Sequence, residues 1–238
     1  MRSGRIRILL PRMARALAPA LVVVARLAVA QQVPMLPASG DPWATRAIDA
    51  DAADGDLQRL GARVFPACAS CHLADAGGRP DGAIPRLAGQ SAGIIASKLK
   101  RIRRGEVFLP VMAAFANSLG ERDVEGVAAY LAALPTPAYL GHGPGSALAR
   151  GRAVYAAACV ACHGVRGEGN AALRAPRLCG QHYGYTLRRV GEIAERQRGD
   201  SDAAMAAVVS TLTKDDLSAV ADQLSRMNCE ASTEGQDP

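Results

Sequence analysis

The feature that most constrains this chain is a repeat. Cys68-Ala69-Ser70-Cys71-His72 recurs 91 residues later as Cys159-Val160-Ala161-Cys162-His163, and Pro85-Arg86-Leu87-Ala88-Gly89-Gln90 recurs at the same offset as Pro176-Arg177-Leu178-Cys179-Gly180-Gln181. At an offset of 93, MAAFANSL from Met112 matches MAAVVSTL from Met205, and Val127 to Leu131 matches Val220 to Leu224. Matched blocks in one order mean a duplicated module, and an indel in a loop absorbs the change of offset. The modules span 54–136 and 146–230, joined by a Pro- and Gly-rich linker at 137–145. A module of this size is small for a self-sufficient core, and only 4% of the chain is aromatic. Either aliphatic side chains fill each module, or something not encoded does.

Helical periodicity dominates, and nothing reads as a run of alternating strands. Ala-rich stretches lead into each Cys-x-x-Cys-His, follow each Pro-Arg-Leu-x-Gly-Gln and close each module. Gly120 and Thr213 read as N-caps of the closing helices, with Asp123 and Asp216 three residues on, near the positive helix end.

Residues 1–30 hold six arginines and no acid, followed by the uncharged run Ala16 to Ala25 and the small-residue site Ala28-Val29-Ala30. This reads as a secretory signal peptide; the run is too short to span a bilayer, and Arg26 sits late, as it would in an uncleaved anchor. Residues 31–53 form an N-terminal extension and 231–238 a flexible tail. Export to the periplasm puts the cysteines in an oxidising compartment. The formal charge of +6 first suggests a nucleic-acid or anionic-membrane partner. All of that excess lies in the leader, because 22 basic and 22 acidic residues remain beyond it. The mature chain is expected to bind no nucleic acid and to have no membrane span, which leaves room for peripheral membrane association.

Two Cys-x-x-Cys-His sets argue against plain disulfides, since the histidine has no part in one. A zinc site built from both pairs would want them closer than 91 residues. A thioredoxin-like dithiol needs a strand and helix context that is missing. Covalent haem attachment uses every position: two thiols add to the vinyl groups as thioethers, and the adjacent imidazole reaches the iron. Cys68, Cys71, Cys159 and Cys162 would hold two haems, with His72 and His163 as axial ligands. The macrocycle would then be the filler each module lacks. Met112 and Met205, 44 and 46 residues after Cys68 and Cys159, are the matched candidates for the second axial position. His142 and His182 read as exposed polar residues, with His182 the alternative to Met205. Cys179 and Cys229 have no counterpart in the first module and are the candidate pair for a disulfide.

On these residues the chain resembles the dihaem class I c-type cytochromes of the cytochrome c4 kind, over roughly residues 54–228. The resemblance implies an all-α fold of two tandem modules, each a small helical bundle around one covalently bound haem c. It also implies that the carbonyls of Pro85 and Pro176 accept hydrogen bonds from the proximal imidazoles. Family modules carry Gly-x-x-x-aromatic-x-x-x-Cys on the first helix, as Gly151, Tyr155 and Cys159 do. The first module departs from this, with Gly61 and Phe65 shifted by one and Pro66 breaking the helix, which puts helix packing there in doubt.

With both axial positions filled, one-electron exchange remains, so the chain is read as an electron-transfer protein rather than an enzyme. The expected donor is a quinol oxidoreductase or a dehydrogenase, and the expected acceptor a terminal oxidase, met through transient interfaces. Lys98, Lys100, Arg101, Arg103 and Arg104 form a cluster that could steer an acidic partner or simply face solvent. The rival readings are a haem subunit of a larger dehydrogenase, or a dihaem enzyme such as a peroxidase or thiosulfate-oxidising enzyme.

Overall fold

A computed structural model describes residues 52–195 and 203–229; the proposed signal peptide, the extension up to residue 51, residues 196–202 and the C-terminal tail from residue 230 lie outside the described residues. The described residues are helical, with one isolated bridge between Asn170 and Ala175. The first module contributes α1 (Ala52–Val64), α2 (Pro66–His72), α3 (Ala92–Arg103), α4 (Pro110–Asn117) and α5 (Glu121–Ala133). The second contributes α6 (Leu148–Ala158), α7 (Val160–His163), α8 (Tyr183–Ala194), α9 (Ala203–Val209) and α10 (Lys214–Arg226). Each closing helix packs on the opening one and on the helix after Pro-Arg-Leu-x-Gly-Gln: α5 meets α1 and α3, and α10 meets α6 and α8.

Small residues let the opening and closing helices cross closely. A Cβ on Gly61 would collide with the Gly126 carbonyl, and one on Gly151 with the Ala219 carbonyl. Gly61 therefore does in the first module what Gly151 does in the second. Phe65 is buried against Tyr130, ring centroids 5.5 Å apart, as Tyr155 is buried in the second module. The one-residue shift in sequence is absorbed at the helix end and leaves the packing intact. Nor is Pro66 the special cause of the break: α6 also ends just before its cysteine pair, at Ala158, with no proline there.

The closing helices begin as their sequences suggest. The Gly120 N–H donates to the Asp123 carboxylate at 2.9 Å; in α10, Thr213 Oγ1 accepts from the Asp216 N–H at 3.2 Å, and Asp216 accepts from the Thr213 N–H at 3.1 Å.

The 137–145 stretch is bonded to both modules. The Tyr139 hydroxyl donates to Asp75 at 2.6 Å, the Tyr183 N–H to the Gly141 carbonyl at 2.7 Å, and the Gly145 N–H to the buried Asp222 at 2.5 Å. His182 corrects the sequence reading. It is fully buried, not exposed, with Nδ1 accepting from the Gly141 N–H at 3.1 Å and Nε2 donating to the Gly77 carbonyl at 2.7 Å. Its reach across the module boundary could not be seen from its neighbours in sequence. Cys179 and Cys229 are joined as a disulfide with Cα atoms 5.4 Å apart, tying the turn after the second Pro-Arg-Leu to the chain beyond α10.

Candidate haem sites

In both modules the segment after the histidine folds back in the same way. Leu73 (φ 66°) and its equivalent Gly164 (φ 79°) turn the chain out of the short helix. The Gly78 N–H then donates to the His72 carbonyl at 3.0 Å and Leu87 N–H to Ala76 at 2.8 Å; the second copy repeats this with Gly169 to His163 at 2.9 Å and Leu178 to Gly167 at 2.7 Å. The Gly89 and Gly180 amides bond to the ends of the closing helices, at Leu131 and Leu224. This fold-back carries each proline carbonyl to its imidazole.

His72 and His163 are buried, and their Nδ1 atoms lie 3.0 and 2.9 Å from the carbonyls of Pro85 and Pro176. A carbonyl can only accept, so Nδ1 bears the proton and Nε2 keeps its lone pair. Burial lowers the pKa of both imidazoles, outweighing the proline hydrogen bond, and favours the neutral form a metal needs. Burial also pushes the Cys68 thiol up and the Cys159 thiol up to about 11. A reactive or redox cysteine has a lowered pKa, so these are not activated thiolates, which counts against a thioredoxin-like dithiol. Cys71 and Cys162 are exposed and free.

The apolar core of each module falls into two clusters. Cys68 packs against one with Phe65, Ile95, Tyr130 and Leu131; Met112 packs against another with Ile102, Val107 and Ala116, and Leu99 touches both. In the second module Cys159 lies with Tyr155, Val220 and Leu224, and Met205 with Val190, Ile193, Val209 and Leu217. In each module the cysteine and the methionine thus pack against different apolar clusters.

A second observation bears on the fit. Arg86 is 4% exposed, its Nε has no hydrogen-bond partner, and burial together with the nearby Arg177 pushes its pKa down to about 10. Its guanidinium bonds to the Ala88 carbonyl and Thr136 hydroxyl at 2.9 Å and to the Cys179 carbonyl at 2.6 Å, all of them neutral. A buried cation held only by neutral groups calls for an anion. Haem c brings two propionates, so the residues fit the group.

Family models match both copies: "Cytochrome c" over residues 148–227 and "Cytochrome C oxidase, cbb3-type, subunit III" over 55–131. A protein of Stutzerimonas stutzeri (strain A1501) named "Thiosulfate dehydrogenase electron acceptor" is 33% identical over 189 residues, 74% of this chain and 87% of that protein. The chain belongs to the class I c-type cytochromes. This cytochrome is c4-like in fold: reduced cytochrome c4 from Pseudomonas stutzeri aligns with a TM-score of 0.66 at 24% identity, covering 72% of this chain and 98% of that one. A structure of thiosulfate dehydrogenase (TsdBA) from Marichromatium purpuratum aligns with a TM-score of 0.62 at 32% identity, covering 82% of this cytochrome and 42% of that chain. As a member of the family, the cytochrome carries covalently bound haem c in its two cytochrome regions and serves electron transfer.

The basic cluster is less available than its sequence suggests. Lys100 pairs with Glu121 and Glu125, Arg103 with Glu121, and Arg101 and Arg104 with Glu106. Among the described residues no helix is long and apolar enough to cross a membrane.

Proposed function

We propose that this cytochrome is a periplasmic dihaem electron carrier that takes electrons from an oxidoreductase and passes them to a terminal oxidase or another acceptor. Cys68 and Cys71 hold one haem and Cys159 and Cys162 the other, with His72 and Met112, and His163 and Met205, as axial ligands. The observation that carries this reading is the twice-repeated buried imidazole whose Nδ1–H is spent on a proline carbonyl, leaving Nε2 for iron. The haem supplies the one-electron couple. The protein fixes the ring, makes it a better donor through Pro85 or Pro176, and surrounds the site with apolar side chains that limit reorganisation. With both axial positions taken no substrate site remains on iron, so the chain acts as a carrier and not as an enzyme.

A thiosulfate-oxidising dehydrogenase is the donor that the similarity to a named electron acceptor of such an enzyme favours. Two haems suit a donor that releases electrons in pairs, each taking one. A second reading, a haem subunit fixed to a larger dehydrogenase, draws on the similarity to part of a longer thiosulfate dehydrogenase chain. Stopped-flow mixing of the oxidised holoprotein separates these readings. The carrier reading predicts full reduction by a catalytic amount of thiosulfate dehydrogenase with thiosulfate, and none by thiosulfate alone. Turnover of thiosulfate by the cytochrome itself would make it an enzyme; a stable complex that must form before any reduction would make it a subunit.

A further inference from the structure

The peptide group between Pro85 and Arg86 faces two modules at once. Its carbonyl accepts from His72 Nδ1 at 3.0 Å, while its N–H donates to Gln181 Oε1, in the other module, at 3.0 Å. The peptide between Pro176 and Arg177 is its mirror: the carbonyl accepts from His163 at 2.9 Å and the N–H donates to Gln90 Oε1 at 3.0 Å. Each glutamine also donates from Nε2 to the same arginine's carbonyl, Gln181 to Arg86 at 3.0 Å and Gln90 to Arg177 at 2.9 Å. Each Oε1 takes a second N–H, from His182 or Ser91, at 3.0 Å. With N–H groups facing one end of the carboxamide and a carbonyl facing the other, its orientation is fixed.

We propose that Gln90 and Gln181 are positioning residues that each set the reduction potential of the haem in the opposite module, through the peptide that holds that haem's proximal histidine. The proposal rests on the reading of His72 and His163 as iron ligands. An acceptor on an amide N–H shifts electron density through the peptide toward its oxygen, because hydrogen bonds in a chain polarise one another. The oxygen then pulls harder on Nδ1–H, the imidazole gains electron density, and the ferric iron it binds is favoured. Removing the glutamine raises the potential of the haem across the boundary.

The test uses the holoprotein, with NMR followed through a redox titration so that each haem and each histidine Nδ1 proton is read separately. For Gln181→Leu the His72 Nδ1 proton moves upfield, and the haem on Cys68 and Cys71 becomes roughly two- to five-fold more reduced at a fixed potential, a fraction of what loss of a direct second-layer partner costs. The haem on Cys159 and Cys162 stays put. Gln90→Leu gives the mirror image. Gln181→Glu restores an oxygen on the Arg86 N–H and brings the first haem back to, or below, its original potential. Should the leucine variant not fold, Gln181→Glu decides alone, since its charged acceptor must move the His72 proton downfield. A shift confined to the mutated module, an equal shift in both haems, or unmoved histidine protons would overturn the proposal. Error in the ligand assignment shows elsewhere: His72→Ala would then leave the first haem's low-spin spectrum unchanged.

Discussion

Leu73 is one of three non-glycine residues with a positive φ among the described residues. It follows the first haem motif with φ 66° and ψ 163°, a region that glycine enters freely and that costs other residues about 1–3 kcal/mol. Its equivalent, Gly164, adopts φ 79° and ψ 162° without that penalty. Leu73→Gly should stabilise the holoprotein by about 1 kcal/mol, since a side chain 39% exposed gives up little packing. Thermal unfolding checks it, and a lower midpoint would mean that the side chain matters more than the strain. At His182, burial keeps the imidazole neutral, and protonating Nδ1 would cost the Gly141 bond; Arg86 and His142 nearby oppose the charge while Asp81 favours it. The folded pKa lies below the unfolded value of about 6.5, so stability is complete above that pH and declines as pH falls from it toward the folded value. In unfolding experiments from pH 7 to pH 5, His182→Gln should lose part of that slope; an unchanged slope would place the titration elsewhere. At this scale the sequence was legible for haem chemistry, because Cys-x-x-Cys-His and its proline return unchanged in both copies. It was illegible for His182, Gln90 and Gln181. Their repeat positions were visible, but their partners lie about 87–105 residues away, and no local spacing encodes that.

The crossing of opening and closing helices is the element on which each module depends. Gly61 and Gly126 meet backbone to backbone, with a Cβ on Gly126 only 3.1 Å from the Gly61 nitrogen. Gly61→Ala should cost about 1–3 kcal/mol, the usual penalty of overpacking. Gly191→Ala, in α8 with nothing within 4 Å, should be neutral or stabilising by up to about 1 kcal/mol, the helix propensity difference. Equal effects in chemical denaturation would contradict the close crossing. Helix identity and order were legible, since apolar periodicity and the N-cap residues Gly120 and Thr213 mark where the closing helices begin. The quality of packing in the first module was not. Counting residues from Gly to aromatic to Cys suggested a mismatch, whereas the break at Phe65 absorbs it in three dimensions and keeps Gly61 and Phe65 in the places that Gly151 and Tyr155 occupy.

At the largest scale, the paired glutamines, the two arginines, His182 and the strapped linker tie the two described repeats together, while the Cys179–Cys229 disulfide closes a 50-residue loop in the second repeat alone. Cys179→Ser with Cys229→Ser should lower stability by about 2–4 kcal/mol, the range for a loop of that size, and lower it in the second haem's module first. Haem-resolved unfolding checks this, and simultaneous loss of both haem signals would mean the modules unfold together. Each module is proposed to hold a six-coordinate haem between a histidine and a methionine. The most direct test is the long-wavelength sulfur-to-iron band of the ferric holoprotein in Met112→Ala and Met205→Ala. Each variant should lose about half the band and the double variant all of it, with the haems still covalently attached. A band that survives both substitutions, or a native protein with one high-spin haem, would contradict it.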